Sequence, residues 1–278
     1  MGCFGYRLGA IHVGGIVLPL RLILLLILVM ASCSSTPAPP APDGVTGPET
    51  GSTGAGATGS PVGSLCDNVY FPAVDGASWT YKVDSGFGDG SVYTDTVTNV
   101  ADDGFAITTK FPGLKSQARW SCTEAGLVSL SFGGGPSVSL TTLRAESSYE
   151  TQDVAGVTIP ATLAPGDTWR QTFLIHGEAF LSEDVTAITE GMVKIAFEAR
   201  GIDEVTVPAG TFPALEVTMR VRLELTIDMG DGAAPFRSTV TGSSWFAAGI
   251  GMVKAANEGN LGDTLATSET VLTKVEGL

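Results

Sequence analysis

Residues 215–228 read Leu-Glu-Val-Thr-Met-Arg-Val-Arg-Leu-Glu-Leu-Thr-Ile-Asp, an unbroken alternation of apolar and polar side chains. Leu215, Val217, Met219, Val221, Leu223, Leu225 and Ile227 form one set; Glu216, Thr218, Arg220, Arg222, Glu224, Thr226 and Asp228 form the other. A period of two puts these sets on opposite faces of a strand, one on a core and one in water. At about 3.4 Å per residue the apolar run spans about 44 Å, well beyond the usual strand, so the sheet that holds it is expected to twist or curl. Arg220 and Arg222 with Glu224 read as a solvated face with charge pairing.

Turn signals recur outward from this strand. Asp102-Asp103-Gly104, Gly133-Gly134-Gly135-Pro136, Glu190-Gly191 and Gly230-Asp231-Gly232 each join residues that tolerate positive φ or interrupt a ladder. No stretch beyond residue 64 keeps a 3.6-residue period with caps. The expected class is all-β, a curled and mostly antiparallel sheet.

Two degenerate halves, about 65–155 and 156–278, are expected from repeated features in one order. Pro72, Gly76 and Trp79 recur as Pro165, Gly166 and Trp169, each group opening a strand. A hairpin is expected after each, over 95–111 and over 184–200. Trp120, Gly126, Leu127 and Val128 then match Trp245, Gly251, Met252 and Val253, with five residues between Trp and Gly in both. On this alignment the second half is longer by an insertion carrying Val207-Pro208-Ala209-Gly210-Thr211-Phe212 and the long strand.

The amino-terminal region has a different character. Arg21 precedes an apolar run, Leu22 to Ala31, that ends in Met30-Ala31-Ser32-Cys33. Pro19 and Arg21 interrupt the longer apolar stretch and leave a segment of signal-peptide length, short of the roughly 20 residues of a membrane span. The motif resembles the lipobox of bacterial lipoprotein precursors, with Met30 where that family usually has Leu. The resemblance implies a signal peptide over 1–32, cleavage before Cys33, and acylation of Cys33 with chains such as palmitate. It also implies a lipid anchor in a bacterial membrane. Ser34, rather than Asp, after the cysteine leans toward the outer membrane or cell surface.

Residues 34–64 are Ser, Thr, Pro, Ala, Gly and a few acids, too polar to offset the entropy of ordering. With Cys33 they form an expected disordered tether, of root-mean-square reach about 30 Å. The β domain then occupies 65–278. The FPAVDGASWTY, PGDTW, VPAGTFPALEV and WFAAGIGMVK segments resemble exported bacterial lipoproteins and secreted β-domain proteins of undefined function, and the resemblance implies a half-barrel-like form for the curled sheet.

All 29 acidic residues lie beyond Cys33, with 13 basic ones, so the exported part carries a net charge of −16. Such a surface repels phosphate backbones, and nucleic acid is not an expected partner. Cys66 and Cys122 are the two cysteines of the β domain. In an oxidising compartment they are expected to pair, closing a loop worth roughly 4 kcal/mol at most by chain entropy.

Catalytic templates are not met. His176 is the single histidine beyond the leader, without a second ligand at zinc spacing, and reads as a strand-end residue. Asp102-Asp103, Glu183-Asp184 and Asp203-Glu204 read as solvated turn or strand-end acids rather than a hydrolytic pair. Asp228 with Asp231, and Asp84 with Asp89, lack calcium-loop spacing. Trp79, Trp120, Trp169 and Trp245 are expected in core packing, with sugar stacking the lesser reading. The expectation is a non-enzymatic envelope module, without cofactor or metal, tied to the membrane through its lipid. An envelope protein is one expected partner; the alternative is a hydrophobic small molecule carried on the apolar concave face, and a carboxylate-dependent hydrolase, which needs two buried acids in one cleft, is the lesser third reading.

Overall fold

The computed structural model describes residues 10–13, 16–19, 64–85, 88–133, 147–182, 185–230, 232–261 and 264–278. Cys33 with its lipobox, the tether over 34–63, Gly134-Gly135-Pro136, Glu183-Asp184 and Asp231 lie outside the described residues. Two short strands, β1 (Ala10–Val13) and β2 (Ile16–Pro19), pair with each other in a separate antiparallel ladder.

All the remaining strands join one antiparallel sheet of 13 strands. They are β3 (Ser78–Ser85), β4 (Gly88–Ala101), β5 (Gly104–Phe111), β6 (Leu114–Thr123), β7 (Gly126–Ser129), β8 (Ser147–Gly156) and β9 (Ile159–Pro160). The series continues with β10 (Thr168–Ser182), β11 (Val185–Val207), β12 (Gly210–Asp228), β13 (Ala233–Ala247), β14 (Gly251–Leu261) and β15 (Thr264–Glu276). Their spatial order is β8-β10-β11-β12-β13-β14-β15-β3-β4-β5-β6-β7-β9.

That order explains the curl. Laid flat, 13 strands about 4.8 Å apart would separate the outermost pair by about 58 Å. Yet the outermost strands, β8 and β9, are consecutive in the chain and joined by Val157 and Thr158 alone. The sheet therefore bends until its two edges meet, although no ladder between them closes it into a barrel. Thr158 fastens the seam: its amide donates to the Leu127 carbonyl at 2.9 Å, and its Oγ1 accepts from the Ser129 amide at 2.7 Å. Gln171 completes it, accepting from Thr158 Oγ1 at 3.0 Å and donating to the Ser129 carbonyl at 3.3 Å.

The alternating stretch forms most of β12, and Leu215 through Ile227 at every second position are buried. They pack inside the curl with Phe173, Ile175, Val193, Ile195, Phe197, Met252, Val253 and Leu272. At the other end Phe71 inserts among Trp79, Phe105 and Trp120, with ring centroids 5.9, 5.8 and 5.3 Å away. The segment bearing Phe71 is tied to β6 by the Cys66–Cys122 disulfide.

The strand-opening repeat is visible in backbone hydrogen bonds. The Gly76 and Ala77 amides donate to Val97 and Val74 carbonyls, and the Val97 amide returns a bond to Ala77. Gly166, Asp167 and Ala199 repeat the pattern, with bonds to the Ala199, Ala164 and Asp167 carbonyls respectively. Gly76 and Gly166 both have positive φ, at 83° and 95°, the conformation their turns require.

Elsewhere the repeat runs differently from the sequence alignment. Residues 184–200 do not turn at Glu190-Gly191: the residues from Val185 run straight through β11, 23 residues long. Gly191, at φ 146°, lies between Ile175 and Leu225 on the neighbouring strands, where a Cβ would overlap the Glu224 carbonyl oxygen. Its role is close backbone approach within a strand rather than a turn. The counterpart of the Asp102-Asp103 turn is Pro208-Ala209, so Val207–Phe212 is a shared hairpin and not an insertion. The added length lies in the strands β11 and β12 themselves, against β4 and β5.

The tryptophan match is also out of phase. β6 and β7 are joined by two residues, whereas β13 and β14 are joined by three and carry a bulge at Trp245/Phe246. Aligning the glycines Gly126 and Gly251 through these turns sets Trp120 beside Ser244, not Trp245. A one-residue slip exchanges faces. Trp120 is buried, while Trp245 is half-buried against the edge of the core and paired with Glu216 and Lys254, with the Lys254 ammonium 5.5 Å from its ring centre.

Candidate functional site

Two register rows on the polar face run side by side across the long strands. One is Thr168, Glu198, Thr218, Ser243, Ala256, Glu269 and Asp84, each paired with the next from β10 to β3. The other is Arg170, Ala196, Arg220, Thr241, Glu258 and Thr267, from β10 to β15. All of these residues line an open trough of about 1490 Å³. In the first row Glu198, Thr218, Ser243 and Ala256 are half-buried, while the second row is exposed, so the first row forms the floor.

Charge is unevenly spread along the trough. Arg170, Arg200 and Arg220 lie at the β10–β12 end with one carboxylate, Glu198; Glu258, Glu269 and Asp84 lie at the β14–β3 end. Several of these charges are held by neighbours: Arg200 by Glu198 at 2.7 Å, Glu269 by Lys254 at 2.7 Å, and Asp84 by Lys82 at 3.0 Å. Ser243 Oγ donates to Glu216 at 2.7 Å at the rim. Beyond the trough Lys194 pairs with Glu224 at 2.6 Å and holds that carboxyl below its usual range, chiefly through the hydrogen bond. Arg170, Arg220 and Glu258 have no ion pair within 4 Å among the described residues.

The apolar face, the expected seat of a hydrophobic ligand, is packed by the core cluster over its described extent. The hollow lined there by Leu163, Trp169, Phe197, Met219, Ser244 and Phe246, among others, measures about 10 Å³, roughly room for one water. Trp79 and Trp169 point into this core and donate their indole N–H groups to the Ile250 and Thr158 carbonyls, at 2.6 and 3.1 Å.

The other sequence candidates do not converge. His176 Nδ1 stands 4.0 Å from Glu190 on the exposed β10–β11 ladder. Asp102 and Asp103 form the β4–β5 turn, and Asp203 and Glu204 are exposed on β11. Among the described residues no group of three or more His, Cys, Asp or Glu side chains is placed to hold a metal ion. Cys66 and Cys122 are bonded to each other. Asp95, which composition and spacing did not single out, sits on the inner face beside Tyr81 and Tyr93, and burial pushes its carboxyl up to about 6 despite the hydrogen bond from Thr109. The trough was also missed. Its polar residues are visible strand by strand, but their lateral alignment is a property of register.

Fold and site together define a class: an all-β protein on one curled antiparallel sheet, packed with side chains on its apolar face and hollowed on its polar face. No family model matches the chain, and no curated protein matches it. Among solved structures it is similar to a Bacteroides fragilis protein described as exported, with a YmcC-like fold. That match has 17% identity and a TM-score of 0.49, covering 76% of this chain and 100% of the other. A Parabacteroides distasonis chain described as a lipoprotein aligns at 16% identity and TM-score 0.45, covering 75% and 99%. The hypothetical lipoprotein YmcC of Escherichia coli K12 aligns at 11% identity and TM-score 0.31, covering 74% and 87%.

Proposed function

We propose that this chain is an exported lipoprotein, cleaved before Cys33 and acylated there, whose β domain is a non-catalytic binding module of the cell envelope. The polar trough carries the binding part of this reading. Its two aligned polar rows line about 1490 Å³ of open space on the face that the core does not use, which leaves room for a ligand. The lipobox at Met30-Ala31-Ser32-Cys33 supports the address, and Ser34 favours an outer membrane or cell surface. Two or more acyl chains, at about 0.8 kcal/mol per buried methylene, hold such a protein firmly, and the polar tether lets the trough face away from the bilayer.

The experiment is photo-crosslinking in cells, with a light-activated side chain at Thr218 in the trough or at Thr206 on the distant β11–β12 hairpin. The expected result is a discrete envelope adduct from Thr218 and none from Thr206. No adduct from the trough, in a protein still folded and fractionating with membranes, would overturn the reading. In parallel, Cys33→Ala is expected to move the protein out of the membrane fraction; retention there would refute lipid anchoring through Cys33.

A further inference from the structure

We infer that the β10–β12 end of the trough binds the acid groups of an anionic saccharide chain, a deepening that rests on the trough being the binding surface. Arg170 and Arg220 are second neighbours in their row, with Ala196 between them. Their backbones stand two strand spacings apart, about 9–10 Å, and only a methyl group rises in the gap. Neither guanidinium has a carboxylate within 4 Å among the described residues, whereas nearby Arg200 and Lys194 do. In an exported part with a net charge of −16, two unneutralised arginines facing one hollow are a local surplus that a bound anion would offset. The guanidinium fork matches a carboxylate or a phosphate in two-point geometry.

The rest of the trough selects the body of that ligand. Its two rows carry Thr168, Thr218, Thr241, Ser243 and Thr267 with Ala196 and Ala256 as their aliphatic members; Trp169, Phe197 and Met219, between the rows, also line it, with Phe197 and Met219 buried in the core. A polyol meets hydroxyls and carboxylates there that can donate to it or accept from it. The trough crosses seven strands, about 29 Å at 4.8 Å per step, which suits an extended chain. Glu258, the carboxylate at the far end without an ion pair among the described residues, repels acid groups there, so the charged sugar sits over Ala196 and the neutral units run toward β14.

The test is calorimetric titration of the full-length chain in detergent. The probes are tetragalacturonic acid, a phosphorylated mannotetraose, neutral maltotetraose and hexaglutamate. One or both acidic saccharides are expected to bind, the stronger of the two telling carboxylate from phosphate, and maltotetraose to bind far more weakly. Arg170→Ala and Arg220→Ala are each expected to weaken binding about tenfold, the scale of one lost charge-assisted bond. Arg237→Ala, outside the trough, should leave it unchanged. Equal binding of maltotetraose, hexaglutamate as tight as the saccharides, or an unchanged affinity in both arginine variants would overturn the inference. So would absence of binding to either acidic saccharide. If Thr218 still gives its envelope adduct in that case, the saccharide assignment alone has failed; if the adduct is missing too, the binding-module reading fails with it.

Discussion

Thr109 Oγ1 donates a hydrogen bond to Asp95 Oδ1 at 2.5 Å, across the β4–β5 ladder and on the face that carries the core. No other hydrogen bond or ion pair supports the carboxyl among the described residues, and burial raises it to about 6. The neighbouring Tyr81 hydroxyl, donating to the Met252 carbonyl at 2.9 Å, is itself pushed well above its ordinary value, first by burial and then by Tyr93 and Asp95.

This sets a pH dependence. Asp95 ionises near 4 in the unfolded chain and near 6 in the folded one, so the folded state holds a proton more tightly. The associated stability is fully present below pH 4 and is lost as pH rises to about 6. Asp95→Asn, which keeps the acceptor for Thr109, is expected to raise stability at pH 8 by about 1–3 kcal/mol and to have little effect at pH 4. Urea unfolding at the two pH values measures the difference, and an equal effect at both would refute the assignment.

Gly191→Ala tests the unturned course of β11. The added methyl would overlap the Glu224 carbonyl oxygen and lie 2.8 Å from Leu225 Cα, at a φ of 146° that other residues rarely adopt. A loss of about 2–4 kcal/mol is expected. Gly201→Ala, with open space around its Cβ, is the matched control and should change stability by less than about 1 kcal/mol.

Trp79 and Trp120 are buried alike, but among the described residues Trp79 has a partner for its indole N–H and Trp120 has none. Trp79→Phe leaves the Ile250 carbonyl without its donor and is expected to cost about 1–3 kcal/mol beyond the change in packing. Trp120→Phe removes a donor that has no partner among the described residues, and should cost clearly less. Thermal unfolding of the two variants compares them directly.

Removing the disulfide by Cys66→Ala with Cys122→Ala is expected to cost about 2–4 kcal/mol, since the bridge closes a separation of 56 residues. Phe71 gives the same segment a second hold in the aromatic stack. The double variant is therefore expected to remain folded at 25 °C, with a lower urea midpoint. Identical midpoints with and without the bridge would show that the aromatic contacts alone hold the segment.

Much of the architecture was legible because its signals are local. The alternation from Leu215 to Ile227 places seven side chains in the core, and the acid-rich turn at Asp102-Asp103 joins β4 to β5. Gly191 was misread because a glycine that permits a turn and one that permits close backbone approach look the same in a chain. The match of Trp245 to Trp120 was misread because one extra residue in the β13–β14 turn, with its bulge, exchanges inward and outward positions, although Trp245 is half-buried against the core.

By itself, the sequence determined an all-β chain with one apolar and one polar strand face, and a leader resembling a lipoprotein signal. Period-two burial, turn propensity and the lipobox depend only on residues near one another in the chain. Tertiary structure decided where the sheet edges meet, which tryptophans reach the core, and that Arg170 and Arg220 share a trough with Glu258. Those outcomes rest on the register of strands as distant as β3 and β15, where Asp84 pairs with Glu269. Such register is set by the packing of the curled sheet as a whole, which no local pattern encodes.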